Sequence, residues 1–228
     1  CRYQDLHFGR SPSLRISTAE FVAIMAMLVA TVAISIDGML PALSIIADEL
    51  TPLLPNNAQM ILSFFVAGMA AGTLIVGPLS DSFGRKPIIY YGASLYIFTS
   101  AVCVLSPSLE VILISRFLQG VGASAPRVVA QALVRDFYKG REMARISSFI
   151  MIIFALVPAI APLLGSFVML AFNWRFIFLM FMAFVAASTM WMAFRIDESV
   201  TKEKRIEFNL KQVVLAFKEV LSLSLIHI

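Results

Sequence analysis

An all-α membrane protein with six transmembrane helices is the fold this sequence predicts, and three observations predict it. Of its 228 residues, 60% are hydrophobic and 14% charged, where a soluble domain has about half and about a quarter. The apolar excess is gathered into runs of about 20 residues, the length that carries a helix across roughly 30 Å of hydrocarbon. Every lysine and arginine except Arg116, Arg127 and Arg175 falls on one side of the alternating runs.

The runs occupy 20–43, 57–80, 87–106, 109–134, 144–171 and 174–195, separated by short polar breaks. The first is too long for the apolar region of a signal peptide and lacks a small-residue cleavage site, so it reads as a retained span. The chain opens on Cys1 rather than methionine, and a truncated N-terminus is expected. Three segments follow from this: 1–19 as a cytoplasmic N-terminal segment, 20–195 as the six-helix bundle, and 196–228 as a cytoplasmic linker. Within the linker, Phe208, Val213, Phe217 and Val220 have rough helical spacing and suit a helix lying on the membrane surface. By the positive-inside rule both ends of the chain are cytoplasmic. The net charge of +4 is therefore topological, which points to a lipid bilayer as partner and away from nucleic acid. Two cysteines, Cys1 and Cys103, offer no disulfide framework. The two histidines, His7 and His227, lie near opposite ends. No metal site or Ser–His dyad is expected from such a set, and no enzyme.

Three ionised side chains fall inside the runs: Asp37 in the first, Arg116 and Arg127 in the fourth. Each costs at least ~2.5–3.5 kcal/mol at a span centre, so each needs a partner or a watery cavity. Asp37 lies ~9 Å, and Arg116 ~10 Å, from the outer end of its run at 1.5 Å per residue. Neighbouring helices would bring the two to one level, and an Asp37–Arg116 ion pair is the expectation. Such a pair either pins two helices together or lets Asp37 titrate when movement separates it. Arg127, near the inner end, is expected to snorkel or to cap a neighbouring helix. Pro41, one turn after Asp37, should weaken the helix beside the charge. Gln119 stands on the face of Arg116, and Gly120 and Gly122 permit close backbone approach.

The break between the second and third runs reads Gly77-Pro78-Leu79-Ser80-Asp81-Ser82-Phe83-Gly84-Arg85-Lys86-Pro87. Gly84 suits a left-handed turn and Pro87 a first helical turn. This loop resembles the signature glycine-x-leucine-alanine-aspartate-arginine-x-glycine-arginine-lysine of the major facilitator superfamily, with Ser80 and Ser82 departing from it. Arg116-Phe117-Leu118-Gln119-Gly120 is similar to the family's arginine-x-x-glutamine-glycine, and Asp37-Gly38-Met39-Leu40-Pro41 to the drug exporters' aspartate-x-tyrosine-leucine-proline, with Met39 in place of the aromatic. Pro158-Ala159-Ile160-Ala161-Pro162-Leu163-Leu164-Gly165-Ser166 resembles the antiporters' fifth-span motif, though Val157, Ala161 and Ser166 depart from its glycines. The nearest likeness is to the bicyclomycin-resistance branch of drug:proton antiporters, and it covers about 20–195.

The resemblance implies two inverted three-helix repeats that form half of a twelve-helix fold, with a C-terminal six-helix half as the missing partner. It implies export of small amphiphilic compounds across the cytoplasmic membrane. Protons are the coupling ion, their gradient the energy source, and no cofactor is required. Asp37, Arg116 and Gln119 would carry coupling, and Gly77, Asp81, Gly84, Arg85 and Lys86 a conformational lock. Pro41, Gly120, Pro158, Pro162 and Gly165 would shape helix packing. A carrier for a native metabolite, or a non-transporting receptor or scaffold, would use the same spans. The six-helix chain alone is expected not to cycle.

Overall fold

A computed structural model describes residues 16–199, and the amphipathic segment at 208–221 lies outside them. Seven α-helices follow in order: α1 (Thr18–Asp37), α2 (Leu43–Leu50), α3 (Met60–Phe83), α4 (Arg85–Leu105), α5 (Leu109–Phe137), α6 (Gly140–Ala171) and α7 (Arg175–Arg195). α1 and α2 together make the first span, so the six runs correspond to six spans. Five of these are long and apolar enough to cross a membrane. α5 has 29 residues and falls short in apolarity alone, because Arg116, Gln119 and Arg127 interrupt it. It is packed among α1, α3 and α4, where protein rather than lipid meets those side chains. The chain is a multi-pass membrane protein.

Local chemistry sets the boundaries. Ser17 accepts the Glu20 N–H through its hydroxyl at 3.2 Å and starts α1, as an N-cap serine does. α1 stops as a regular helix at Asp37, a tight 3-10 turn follows at Leu40–Ala42, and α2 resumes at Leu43. Pro41 accounts for the break, since it has no N–H to offer the Asp37 carbonyl four residues earlier. Gly84 has φ 105°, a value that favours glycine, and there the chain reverses between α3 and α4.

The spans alternate in direction. One mouth of the bundle holds Arg85, Lys86, Arg135, Lys139, Arg141, Arg145 and Arg195 and is termed the basic end; the opposite mouth is the far end. α1 packs mainly on α6 and α3 mainly on α5, while α4, which also lies against α5, packs on α7. This exchange is the signature of two inverted triplets, α1–α4 and α5–α7. The first span of each lies on the second of the other, and the two third spans meet.

Between apolar helices in lipid, close contact replaces the hydrophobic effect as the source of association. The glycines locate that contact. A Cβ at Gly120 would lie 2.1 Å from the Phe65 carbonyl oxygen, and one at Gly68 1.9 Å from that of Phe117, so α3 and α5 touch backbone to backbone. α6 differs: among its 32 residues only Ile146, Ile150, Ala161 and Gly165 are buried.

Candidate functional site

Arg116 is fully buried, and its surroundings correct the expected ion pair. Nη2 donates to the Ser35 carbonyl at 2.8 Å, Nη1 to Gln119 Oε1 at 2.7 Å and Nε to the Ile61 carbonyl at 3.3 Å. The guanidinium carbon stands 4.5 Å from the centre of the Phe65 ring, a cation–π distance. Among the described residues no carboxylate pairs with it, and Asp37 makes no ion pair. The reason is helical geometry. Ser35 faces α5, and a residue two positions on is turned by about 200° around the helix. The depth estimate brought the correct helices together but did not account for rotation.

Four side chains complete this network, three of them unpredicted. Gln119 donates through Nε2 to Ser100 Oγ, which donates to the Tyr96 carbonyl at 2.7 Å. The Ser35 hydroxyl donates to the Thr31 carbonyl at 2.6 Å, which leaves it to accept from the Tyr96 hydroxyl. Ser35, Tyr96, Ser100 and Gln119 are all buried. Hydrogen bonds thus run in one direction from the guanidinium across α5 and α4, and from Tyr96 into α1. Tyr96 and Ser100 are four residues apart and so share one helical face, but that spacing alone does not distinguish them from hydroxyl residues that bond only their own helix.

The first-span and fifth-span motifs meet. A Cβ at Gly165 would lie 2.2 Å from the Gly38 carbonyl oxygen and 3.4 Å from Pro41 Cδ. The break in α1 is therefore seated on α6 at a glycine, with Asp37 half-buried at its edge. Met39 is fully buried, so whatever an aromatic does at this position in the motif, Met39 fills core. Pro158 is exposed and Pro162 half-buried. Arg127 is half-buried and lays Nη1 3.3 Å from Met69 Sδ on α3, without capping a helix.

The signature loop makes a second cluster, at the basic end. Arg85 pairs with Asp81 at 2.6 Å and Asp136 at 3.1 Å, and donates to Ser80 Oγ at 2.7 Å. Ser80, which replaces the motif's alanine, also donates to the Gly77 carbonyl at 2.8 Å. Ser82, in place of an arginine, donates to the Pro78 carbonyl of its own helix. Glu198, beyond α7, accepts the backbone N–H groups of Arg85 and Lys86 at 2.8 and 3.0 Å, a carboxylate on a helix N-terminus. Ser199 donates to Asp136 at 2.7 Å, and Lys86 Nζ to the Ala193 carbonyl at 2.9 Å. A Cβ at Gly77 would meet nothing within 4 Å. At the far end, Glu49 accepts from Trp174 Nε1 at 2.6 Å and from Arg175 at 2.9 Å. That joins α2 to the start of α7.

Comparison with known proteins agrees with this geometry. The family model described as Major Facilitator Superfamily matches residues 21–227. A bicyclomycin resistance protein homolog of Haemophilus influenzae is 33% identical over 201 residues, which are 88% of this chain and 50% of that protein. A multidrug resistance protein of Escherichia coli O157:H7 is 40% identical over 145 residues, 63% of this chain and 36% of that one. An uncharacterized MFS-type transporter of Bacillus subtilis is 35% identical over 185 residues, covering 80% of this chain and 46% of its own. The crystal structure of a human organic anion transporter superposes with a TM-score of 0.68 at 17% identity, over 87% of this chain and 53% of that one; at this identity the likeness is one of fold. The chain spans about half the length, or less, of these relatives.

Proposed function

The chain belongs to the Major Facilitator Superfamily, and from that premise we propose that it forms the N-terminal half of a proton-coupled exporter of small amphiphilic compounds. It sits in the cytoplasmic membrane with its basic end, and both ends of the chain, in the cytoplasm. The names of the bicyclomycin- and multidrug-resistance relatives support the cargo class. The basic residues gathered at one mouth support the orientation. A second six-helix half would pack along the exposed apolar side of α6, and cargo would pass between the halves.

The single observation that carries the coupling reading is the site of Arg116. A fully buried guanidinium is held by uncharged acceptors while a carboxylate stands two residues along the helix that supplies one of them. α1 is interrupted immediately after Asp37, so a turn of α1 about its axis needs no helix to be broken anew. In the mechanism we infer, ionised Asp37 swings onto Arg116 in place of the Ser35 carbonyl, and protonated Asp37 releases it. One state is the arrangement described above; the other is a direct ion pair. Entry of one proton down a potential of ~100 mV supplies ~2.3 kcal/mol, equivalent to about a fifty-fold cargo gradient.

The experiment is Asp37→Asn in the full-length transporter, assayed in everted vesicles with a dye substrate. Proton-driven accumulation is expected to vanish, while energy-independent exchange of labelled for unlabelled dye persists. Normal accumulation by the mutant overturns the coupling role. Loss of exchange as well would make Asp37 a binding residue instead.

A further inference from the structure

A cavity of about 250 Å³ opens at the basic end between α1, α5 and α6, and none of the motifs discussed above accounts for it. Met25 and Val29 of α1 and Ile150 of α6 form its apolar wall, with Gln131 and Arg135 of α5 and Ser147 of α6 as polar groups. The volume falls just below the usual range of ligand pockets, about 300–1,000 Å³, and suits a small or single-chain solute. Gln131 and Arg135 are four residues apart and share a helical face, so donors of one element point the same way. Arg135 is exposed and has no ion pair or hydrogen bond among the described residues.

No carboxylate lines the cavity. The adjacent acid, Asp136, is committed to Arg85 and to Ser199. Glu142, in the first turn of α6, is exposed and flanked by Arg141 and by Arg145. Asp37 is twelve residues beyond Met25 along α1, about 18 Å away. The polar mouth therefore carries uncompensated positive charge above an apolar, methionine-bearing floor, and methionine adapts to varied shapes.

We propose that this cavity binds an amphiphile with an anionic head, its apolar body between α1 and α6 and its head on Arg135. The proposal deepens the export reading and rests on it for its meaning, since it gives the charge class of what enters from the basic end. Lipophilic cations are disfavoured at this mouth. The binding itself is independent of coupling and of Asp37.

The test uses the full-length transporter, carrying Ser147→Cys with its other accessible cysteines replaced by serine, in nanodiscs of zwitterionic lipid. Alkylation of the new thiol by a water-soluble maleimide is timed with three solutes of one chain length: decanoate, decanol and decyltrimethylammonium. One surface arginine is worth a factor of about five toward an anionic head. Decanoate should therefore protect at about five-fold lower concentration than decanol and at a lower concentration still than the ammonium compound, and Arg135→Glu should reverse the order of the two charged solutes. Equal protection by all three, stronger protection by the cation, no protection by any, or decanoate protection unchanged in Arg135→Glu would each overturn the proposal. A repeat in phosphatidylglycerol discs identifies the source of the anion. If a lipid head group fills the site, alkylation is already slow there and decanoate adds nothing. If a free solute does, the unprotected rate is unchanged and decanoate still protects. Both results support an anionic head, and neither bears on whether Asp37 couples transport to protons.

Discussion

Two arginines of this chain are held in opposite ways. Arg85, at the basic end, is itself buried but meets a hydroxyl and two carboxylates that reach water, Asp81 being 45% and Asp136 24% exposed. Arg116, in the interior, meets carbonyl oxygens, an amide and an aromatic ring. Near water a charge pair is screened and worth little. Away from water a charge is tolerable only if every donor is satisfied, and losing one partner leaves the full penalty. The first arrangement suits a contact that can open and re-form. The second suits a charge kept ready for a partner that arrives later.

The contrast depends on α3 and α5 excluding water from Arg116, and the largest expected effect comes from parting them. Gly120→Leu would drive a side chain into the Phe65 carbonyl, 2.1 Å from the Cβ position. It should cost more than about 4 kcal/mol and yield no monodisperse peak on size exclusion in mild detergent. By comparison, Gly77→Leu, where nothing lies within 4 Å, should leave the peak intact. If Gly120→Leu elutes as wild type, the backbone contact that seals the site is not there.

Next in size is the removal of one acceptor. Gln119→Leu leaves Nη1 of a buried guanidinium without its 2.7 Å bond and should destabilise by roughly 3–5 kcal/mol. Arg116→Met removes the charge itself and should cost less, and the double variant should be more stable than Gln119→Leu alone. Thermal unfolding in detergent gives the order. A double variant less stable than either single one would mean that Arg116 is not an isolated interior charge.

Much of this was legible in the chain because spans announce themselves by length and arginine by its cost in lipid. The six runs and the intramembrane charges needed only hydropathy and spacing, whereas the loop from Gly77 to Lys86 stood out through its resemblance to a family signature. The partner of Arg116 was not legible, because depth along a helix follows from counting whereas rotation about it follows from packing. Nor could Tyr96 and Ser100 be singled out, since hydroxyl residues in apolar helices most often bond their own carbonyls, as Thr99 does. Glu198 was hidden for a different reason. A carboxylate beyond the last span gains meaning only when the fold brings it 2.8 Å from an N–H more than a hundred residues earlier.

A smaller effect tests the link from the interior site into α1. Tyr96→Phe removes one buried hydrogen bond to Ser35 and should cost about 1 kcal/mol, because Ser35 keeps its bond to Thr31. A loss as large as that of Gln119→Leu would show the tyrosine hydroxyl supporting the charge directly.

The smallest effect belongs to the basic end and completes the contrast. Asp136→Asn deletes the 3.1 Å pair with Arg85 but keeps an oxygen to accept from Ser199 and leaves Asp81 in place. With one carboxylate remaining and water nearby, the cost should stay within about 1 kcal/mol. Because the Debye length shrinks to about 3 Å at 1 M salt, the gap between wild type and Asp136→Asn should close as salt is raised. The gap between wild type and Gln119→Leu should not. Unfolding both variants across a salt series therefore separates the two ways of holding an arginine. If the Asp136→Asn deficit survives 1 M salt, the acids around Arg85 are as sheltered from water as the partners of Arg116, and the loop is a fixed brace rather than a contact that can open.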